Sequence, residues 1–445
     1  MIKEKQTDYL LLLVGKNPLP NAVAGSLLAK PGGTILLFHS ASTKPQAVAL
    51  GKWYKKYFDN NISIFNLEIN EAKPLRIFQL VQEKLDRHAK EIDPSGKQTI
   101  GLNYTGGTKA MAVQAHRSVE KWAQGKRITP IFSYLDARTL TMVYDCDDVG
   151  NYVGTSVKMK LRDDLIAIHG WKLQHAPHRE PMLFDSASTL AKIYSDKVNA
   201  GLWQVFKADF ENAEKPDKKE GEKWEKDQKS RFQEIWSEFS KTLQNECGYN
   251  FEQSLKFDIR NYIEWLKKIH REIEKYDKDW FSDYEAKILD DGSRETKIDK
   301  VGKREGFKGW RKDKWLEHYV LGIVNEVAEE MEFHECWRNV RTEQVDFEVD
   351  VIAVRGYQLF AFSCTTSSDK KTLKLKLFEA YTRARQLGGD EARVALVCCS
   401  DEPEVIRKEL EQEVNQDDGD PSGRIQVFGR RHLSNLKDHI LLPKT

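Results

Sequence analysis

Val345-Asp-Phe-Glu-Val-Asp-Val-Ile-Ala-Val354, then Arg355-Gly-Tyr-Gln358, then Leu359-Phe-Ala-Phe-Ser-Cys-Thr-Thr366, is the stretch that decides how the C-terminal part of the chain is read. The first segment alternates. Phe347, Val349 and Val351 fall on one face of a strand and Asp346, Glu348 and Asp350 on the other, because side chains alternate along an extended backbone. The second segment is almost wholly apolar, and Arg355-Gly356 makes a short turn between the two. Three acids on one face of a strand paired with a buried strand are costly unless they meet water, a cation or a metal. A metal is the expected partner.

Outward from this hairpin the signals alternate. Upstream, Trp315–Glu330 reads as an amphipathic helix with Leu316, Tyr319, Val320 and Ile323 inward and Glu317 in its first turn, followed by strand signals at 334–343. Downstream, a helix runs from Thr372 to Leu387 and is ended by Gly388-Gly389. Arg393–Cys399 is another buried strand and Ile425–Phe428 a last one. On the downstream helix, Leu373, Leu377, Tyr381 and Ala384 build the apolar face, with Lys374 at one edge and Lys376 at the other. A lysine placed there can reach an acidic strand along its apolar stem.

The N-terminal part reads as a second unit. Tyr9–Val14 is a continuous apolar run, as a strand buried on both faces requires. Strands follow at Thr34–Phe38, Ile62–Leu67 and Gln98–Asn103, separated by helices at 44–58 and 74–88, and Ile131–Leu135 with Thr139–Asp145 reads as a hairpin. Such repetition implies a Rossmann-like sheet with ligands outside the carboxyl ends of its strands. Three loops qualify: Gly15-Lys16-Asn17-Pro18, the 39–43 loop with Ser40 and Thr43, and Asn103-Tyr104-Thr105-Gly106-Gly107-Thr108-Lys109. The third offers two glycines, two hydroxyls, a lysine and a helix N-terminus, which suits a phosphate. It is neither GxxxxGK[ST] nor GxGxxG, so ATPase and dinucleotide readings lose support.

Composition sets the outer limits. At 445 residues, two or three domains are expected. Net charge is +1, so a nucleic-acid surface must be a local patch. No apolar run has the length of a membrane helix, and the N-terminus lacks a signal-peptide pattern. Six cysteines without CxxC spacing read as cytoplasmic thiols, not as a disulfide frame or zinc site. Residues 181–314 are rich in Lys, Glu and Trp, with helical apolar spacing at Phe232, Ile235, Trp236 and Phe239, and the mixed-charge run Lys215–Lys229 reads as a solvated loop or helix face.

The order helix, three meandering strands, helix, strand resembles the PD-(D/E)xK nuclease fold. Asp350 matches the Asp that ends the second strand of that fold, but Ser363-Cys364-Thr365 stands where (D/E)xK is usual. The resemblance implies either a lysine moved to the following helix, Lys374 first and Lys376 second, or an inactive site. It implies that Asp350, Glu317 and Glu348 hold Mg²⁺ or Mn²⁺, with Ser363 and Thr365 completing the shell. The Asn103–Met111 motif, after a Rossmann-like half, resembles a CARF domain, a sensor of type III CRISPR systems. Glu348-Val-Asp350, Ser363-Cys-Thr-Thr366 and Leu387-Gly-Gly-Asp390 resemble the nuclease half of CARF-fused PD-(D/E)xK effectors.

The resemblance covers about 1–170 and 306–445 and is weak across 181–305. It implies a homodimer that binds a cyclic oligoadenylate, most often cyclic tetra-adenylate, and then cuts DNA, RNA or both. The three loops, with Gly15, Lys16, Asn17, Pro18, Ser40, Thr43, Asn103, Thr105, Gly106, Gly107, Thr108 and Lys109, would line the activator site. The expected division is a Rossmann-like sensing domain at 1–170, a charged helical linker or insertion at 171–305 and a restriction-endonuclease-like α/β domain at 306–445. Two rivals remain. Arg311 to His318 and Arg162 to His169 both fit the Arg-x4–6-His spacing of a metal-free HEPN ribonuclease. A degenerate nuclease fold that binds nucleic acid through Arg383, Arg385 and Arg393 is the other.

Overall fold

The computed structural model describes residues 2–67, 73–88, 98–197, 314–343, 347–418 and 424–441, with isolated residues at 199–201, 204, 237, 239, 241–242, 245, 287–288 and 294–295. The Lys215–Lys229 run, Phe232, Ile235, Trp236, Arg311 and Asp346 lie outside the described residues.

The N-terminal sheet has seven strands: β1 (Thr7–Val14), β2 (Ala29–His39), β3 (Asn61–Asn66), β4 (Ile100–Asn103), β5 (Ile131–Asp136), β6 (Thr141–Tyr144) and β7 (Asp147–Tyr152). They lie in the order β3-β2-β1-β4-β5-β6-β7. The first five are parallel, and β6 and β7 add antiparallel. Helices α1 (Leu19–Leu28), α2 (Lys44–Tyr57), α3 (Pro74–His88) and α4 (Lys109–Lys126) cover the two faces. The apolar run of β1 serves both: Leu10, Leu12 and Val14 join the core with α1 and α2, whereas Tyr9, Leu11 and Leu13 join the core with α3 and α4. The second strand is longer than its Thr34–Phe38 signal. It starts at Ala29, paired with Thr7 past a register shift, and Gly32 at φ +75° absorbs the irregularity.

Helix α5 (Phe184–Ser195) and a two-residue ladder, β8 (Lys287–Ile288) with β9 (Arg294–Glu295), precede the second sheet. That sheet comprises β10 (Glu335–Arg341), β11 (Glu348–Arg355), β12 (Gln358–Cys364), β13 (Arg393–Val397) and β14 (Ile425–Phe428), in sequential order. The meander β10-β11-β12 is antiparallel, and β12-β13-β14 is parallel. Helices α7 (Lys370–Gly388) and α8 (Pro403–Asp418) make the crossovers, α6 (Trp315–Glu326) precedes the meander, and α9 (Leu436–Leu441) follows β14.

Helix α6 is not amphipathic as its spacing suggests. Every residue from Trp315 to Val324 is buried, because α5 covers the face turned away from the sheet. Tyr194 of α5 lies 5.0 Å from Trp315 and Phe184 stacks 6.3 Å from Tyr319, ring centre to ring centre. Each large apolar side chain so buried contributes about 1.5–3 kcal/mol.

The two sheets share one core. Residues of α1 and α2 and residues of α7, β12 and β13 belong to a single apolar cluster, joined through Val153, Met159, Leu161, Leu165 and Ile168. The same linker is stapled to the second sheet: the Met159 amide donates to the Gly356 carbonyl at 2.9 Å, and the Leu161 amide donates to Glu335 Oε2 at 2.6 Å. Leu173 and His178 bridge to Thr342 and Arg338. The halves are thus held by packing and backbone bonds, not by a loose tether.

Candidate functional site

Two places gather the residues marked in the sequence. The first is the crevice at the carboxyl ends of β1, β2 and β4, where the sheet order reverses between β1 and β4. Helices α1, α2 and α4 all begin there, so three N-termini face one region. Lys16, Lys44 and Lys109 stand exposed at this edge, and the loops 15–18, 40–43 and 104–108 contain no acidic residue.

The glycines serve packing first. A Cβ on Gly106 would lie 2.1 Å from the Leu13 carbonyl oxygen, and one on Gly15 would lie 3.1 Å from the Gly107 amide nitrogen. The 104–108 turn therefore rests directly on the end of β1, and Gly107 takes the left-handed φ of +78° that the turn needs. Buried Asn103 fixes the turn: its Nδ2 donates to Ser133 Oγ at 3.2 Å and its Oδ1 accepts the Thr105 amide at 3.3 Å. Thr105 Oγ1 accepts the Leu135 amide at 2.7 Å, and Thr108 Oγ1 caps α4 by accepting the Met111 amide at 3.2 Å. Each hydroxyl is an acceptor in these bonds and retains a proton to donate.

Not every marked residue lines the crevice. Ser40 and Thr43 are buried and bond to each other, the Ser40 amide donating to Thr43 Oγ1 at 3.1 Å. They shape the second loop from within. Asn17 Oδ1 accepts the Leu19 amide at 2.9 Å and starts α1, with Pro18 buried beside it. Lys16, Gly107, Thr108 and Lys109 are the exposed members. Sequence reasoning passed over Lys44, although a Lys-Pro at a helix start after a candidate loop is a readable signal. It also passed over Tyr104 as a separate group: its hydroxyl donates to Asp145 Oδ1 at 2.6 Å, and His116 Nε2 lies 3.0 Å from the other oxygen of Asp145.

The second place is the start of β11. Asp350 Oδ2 accepts the Cys364 amide at 2.7 Å and the Ser363 hydroxyl at 3.2 Å. The β11–β12 ladder stops at Val351–Phe362, so this carboxylate takes the next rung in place of a backbone carbonyl. On the other side, Asn339 of β10 adopts a left-handed φ of +58°. Opposite this residue, β11 changes which way it faces. Phe347 and Val349 pack with the α7 side, but Val351 and Ala353 pack under α6, and Ile352 and Val354 return to the α7 side. Strict alternation had placed Val351 with Phe347 and Val349, and the break at Asp350 overrides it.

Glu317 of α6 is 5% exposed, with Oε1 2.9 Å from Lys314 Nζ and Oε2 3.1 Å from Arg338 Nη1. Burial pushes its pKa above the ordinary carboxylate range and the Asp350 charge adds to this, while Lys314 and Arg338 oppose it. Burial pushes Asp350 up as well, against the Cys364 amide and then the charges of Lys314 and Lys376. These two acids and three cations form one electrostatic unit. Lys314 was missed in the sequence; its spacing of three residues before Glu317 is the local signal.

The other marked residues stand apart. Glu348 is exposed and pairs with Arg341 at 2.6 Å, so three carboxylates do not assemble as expected. Among the described residues no three His, Cys, Asp or Glu side chains converge as metal ligands. Lys374 is directed at α8, 2.7 Å from Glu413 and 3.4 Å from Glu409; two carboxylates on the neighbouring helix draw it away from the strand. Lys376 lies exposed on the other edge of α7 and acts on Asp350. Thr365 Oγ1 accepts the Ser367 amide at 3.2 Å and shapes the strand end. Both histidines of the Arg-x6-His pattern are buried: His169 Nε2 lies 3.1 Å from the Leu387 carbonyl, and His318 Nδ1 accepts the Met182 amide at 2.9 Å. Burial lowers the His169 pKa to about 4 and takes His318 well below its usual value, which suits neither to acid–base work in solvent.

The two places are connected. A Cβ on Gly389, in the turn that ends α7, would lie 2.4 Å from Asn17 Nδ2 and 2.5 Å from a carboxylate oxygen of Glu391. The first crevice loop thus packs against the turn of the helix that carries Lys376.

No family model and no curated protein matches the sequence. Among solved structures, the chain is similar to protein VC1899 of Vibrio cholerae, with a TM-score of 0.57 and 14% identity over 97% of each chain. It is also similar to Can2 of Sulfobacillus thermosulfidooxidans, solved in complex with cyclic tetra-adenylate, with a TM-score of 0.57 and 12% identity over 97% of this chain and 98% of that one. At such identities the likeness establishes a shared fold, and it does so along nearly the whole chain.

Proposed function

We propose that this chain is a CARF-type effector of CRISPR defence in which a cyclic oligoadenylate, cyclic tetra-adenylate first, switches on a metal-dependent nuclease acting on DNA, RNA or both. The observation that carries the reading is the crevice at the switch point: three helix N-termini, exposed Lys16, Lys44 and Lys109, backbone held close by glycine, and no acid in the three loops. Such a surface receives several phosphates at once. The neighbour solved with cyclic tetra-adenylate shares the fold over 97% of this chain and supports the same ligand class. A ligand with rotational symmetry suits a homodimer with the crevices facing each other.

The second site supports the nuclease half of the reading. Asp350, Glu317 and Ser363 offer oxygen donors, and two acids close enough for the charge of one to raise the pKa of the other make a divalent cation favourable there. Two carboxylates are enough when substrate phosphates and water supply the remaining positions of Mg²⁺ or Mn²⁺. When bound, the metal would polarise the scissile phosphate and lower the pKa of a coordinated water. The chain's own part is to hold Asp350 in one rotamer through the Cys364 amide and Ser363 hydroxyl. Lys376 sits on a helix whose far turn touches Asn17, so a crevice that closes on its ligand can shift α7.

A second reading is favoured by the neutral side chains of Ser363 and Thr365, namely a domain that binds nucleic acid without cutting it. One experiment separates the two. The protein is incubated with plasmid DNA or single-stranded RNA, Mn²⁺ and cyclic oligoadenylates of several ring sizes, and Asp350→Ala is run in parallel. Cleavage that needs both activator and Asp350 is expected. Retained binding without cleavage at any ring size establishes the second reading, and cleavage that persists in EDTA contradicts metal dependence.

A further inference from the structure

We infer that Lys314, at the start of α6, is the cation that faces the substrate phosphate at the Asp350 site, acting as a fixed partner to Glu317 three residues on. The inference rests on the nuclease reading and adds a residue to it.

Glu317, buried on α6, and Asp350, half-buried on β11, are two acids close enough for the charge of Asp350 to raise the pKa of Glu317. An anionic phosphate approaching a pair of carboxylates is repelled unless positive charge lies at the mouth. Four cations are within consideration, and their surroundings rank them. Arg338 touches Glu317, but its side chain is 3% exposed, so it balances the acid's charge without being open to an incoming phosphate. Lys374 is held by Glu413 and Glu409 on α8. Lys376 is exposed on α7 and acts on Asp350 from a distance. Lys314 contacts the acid at 2.9 Å, and its side chain is 25% exposed. It therefore touches Glu317, acts on Asp350 through its charge and is still open to solvent. An ammonium has three N–H donors and can serve a carboxylate and a phosphate oxygen together.

The local fold makes this placement durable. Lys314 sits immediately before a helix buried from Trp315 to Val324, so its backbone cannot drift without disturbing that core. Its role is to neutralise charge and orient the phosphate. It transfers no proton.

Lys314→Gln and Lys314→Arg test the assignment, with Lys371→Gln as an exposed control on α7 and Lys376→Gln as the competing candidate. Two measurements are made on full-length protein. The first is single-turnover cleavage with Mn²⁺ and cyclic tetra-adenylate. The second is binding of a labelled single-stranded oligonucleotide in EDTA with activator present, followed by fluorescence anisotropy. Thermal melting confirms folding of each variant. Lys314→Gln should lose about 100-fold in cleavage rate and about fivefold in oligonucleotide affinity, and Lys314→Arg should recover most of both. Recovery by arginine separates a role at the phosphate from support of the helix start.

If wild-type protein cuts nothing, the nuclease reading fails while the affinity arm still decides whether Lys314 faces phosphate. If Lys314→Gln binds and cuts within threefold of wild type, or if the loss falls on Lys376→Gln instead, the assignment is overturned.

Discussion

The crevice of the first sheet and the acidic site of the second hold charge in opposite ways. The crevice keeps Lys16, Lys44 and Lys109 in water and builds its walls from backbone and neutral hydroxyls. The second site buries Glu317 and half-buries Asp350, and answers Glu317 with Lys314 and Arg338 at contact distance. A solvated cationic rim favours binding that is reversible and sensitive to salt. A buried ionic cluster favours fixed geometry, where losing one member leaves an uncompensated charge. The contrast is the one that the proposed division into a switch and a site of bond breaking requires.

The hardest test of that division is Asp350→Ala. Cleavage should fall on the order of 10³-fold, while the affinity for cyclic tetra-adenylate measured by calorimetry should not change. A parallel loss of activator binding would show that the two regions are one site. Next in size is Gly106→Ala. The new Cβ meets the Leu13 carbonyl at 2.1 Å, so the end of β1 and the 104–108 turn must separate. A loss of about 2–3 kcal/mol in stability is expected, together with loss of activator binding. An unchanged melting temperature would mean that the turn does not pack as described.

A smaller effect sharpens the boundary between the regions. Burial pushes the pKa of Glu391, beside Gly389 and Asn17, up to about 7 from 4.5. Between about pH 4.5 and 7 the folded chain binds this proton more often than the unfolded chain does. Stability therefore falls as pH rises through that window and levels off above it. Glu317 and Asp350 are raised as well and slope the same way, so the useful quantity is the difference between variants. Glu391→Gln should gain on wild type by on the order of 1–2 kcal/mol between pH 5 and pH 8, read from melting curves. A difference that does not vary with pH would place the ionised carboxylate in a solvated setting. The smallest effects belong to the rim: Lys16→Gln and Lys109→Gln should each weaken activator binding by about three- to tenfold and flatten its salt dependence.

What could be read in advance follows from how local each signal is. The buried run of β1 and Gly107 of the 104–108 turn declare themselves, because burial on both faces and a positive φ each restrict residue type at their own positions. The face taken by Val351 was hidden, since it is set by packing under α6, an element distant from β11 in sequence. Lys374 looked well placed on its helix, yet its direction is set by Glu409 and Glu413, which belong to a later element. Lys314 carried a local signal toward Glu317, but its importance rests on Asp350 arriving from β11. Side-chain identity was legible and partner choice was not, because long charged side chains follow tertiary surroundings.

The central claim is that the crevice controls the acidic site, and a titration of cleavage against activator tests it most directly. Wild-type protein and the Lys16→Gln/Lys109→Gln double variant are assayed with Mn²⁺ and labelled single-stranded and plasmid substrates over a range of cyclic tetra-adenylate concentrations. The account predicts saturable, activator-dependent cleavage, with the midpoint displaced to higher concentration in the variant and the maximal rate preserved. Cleavage independent of activator, or a variant with an unmoved midpoint and a reduced maximum, would contradict it.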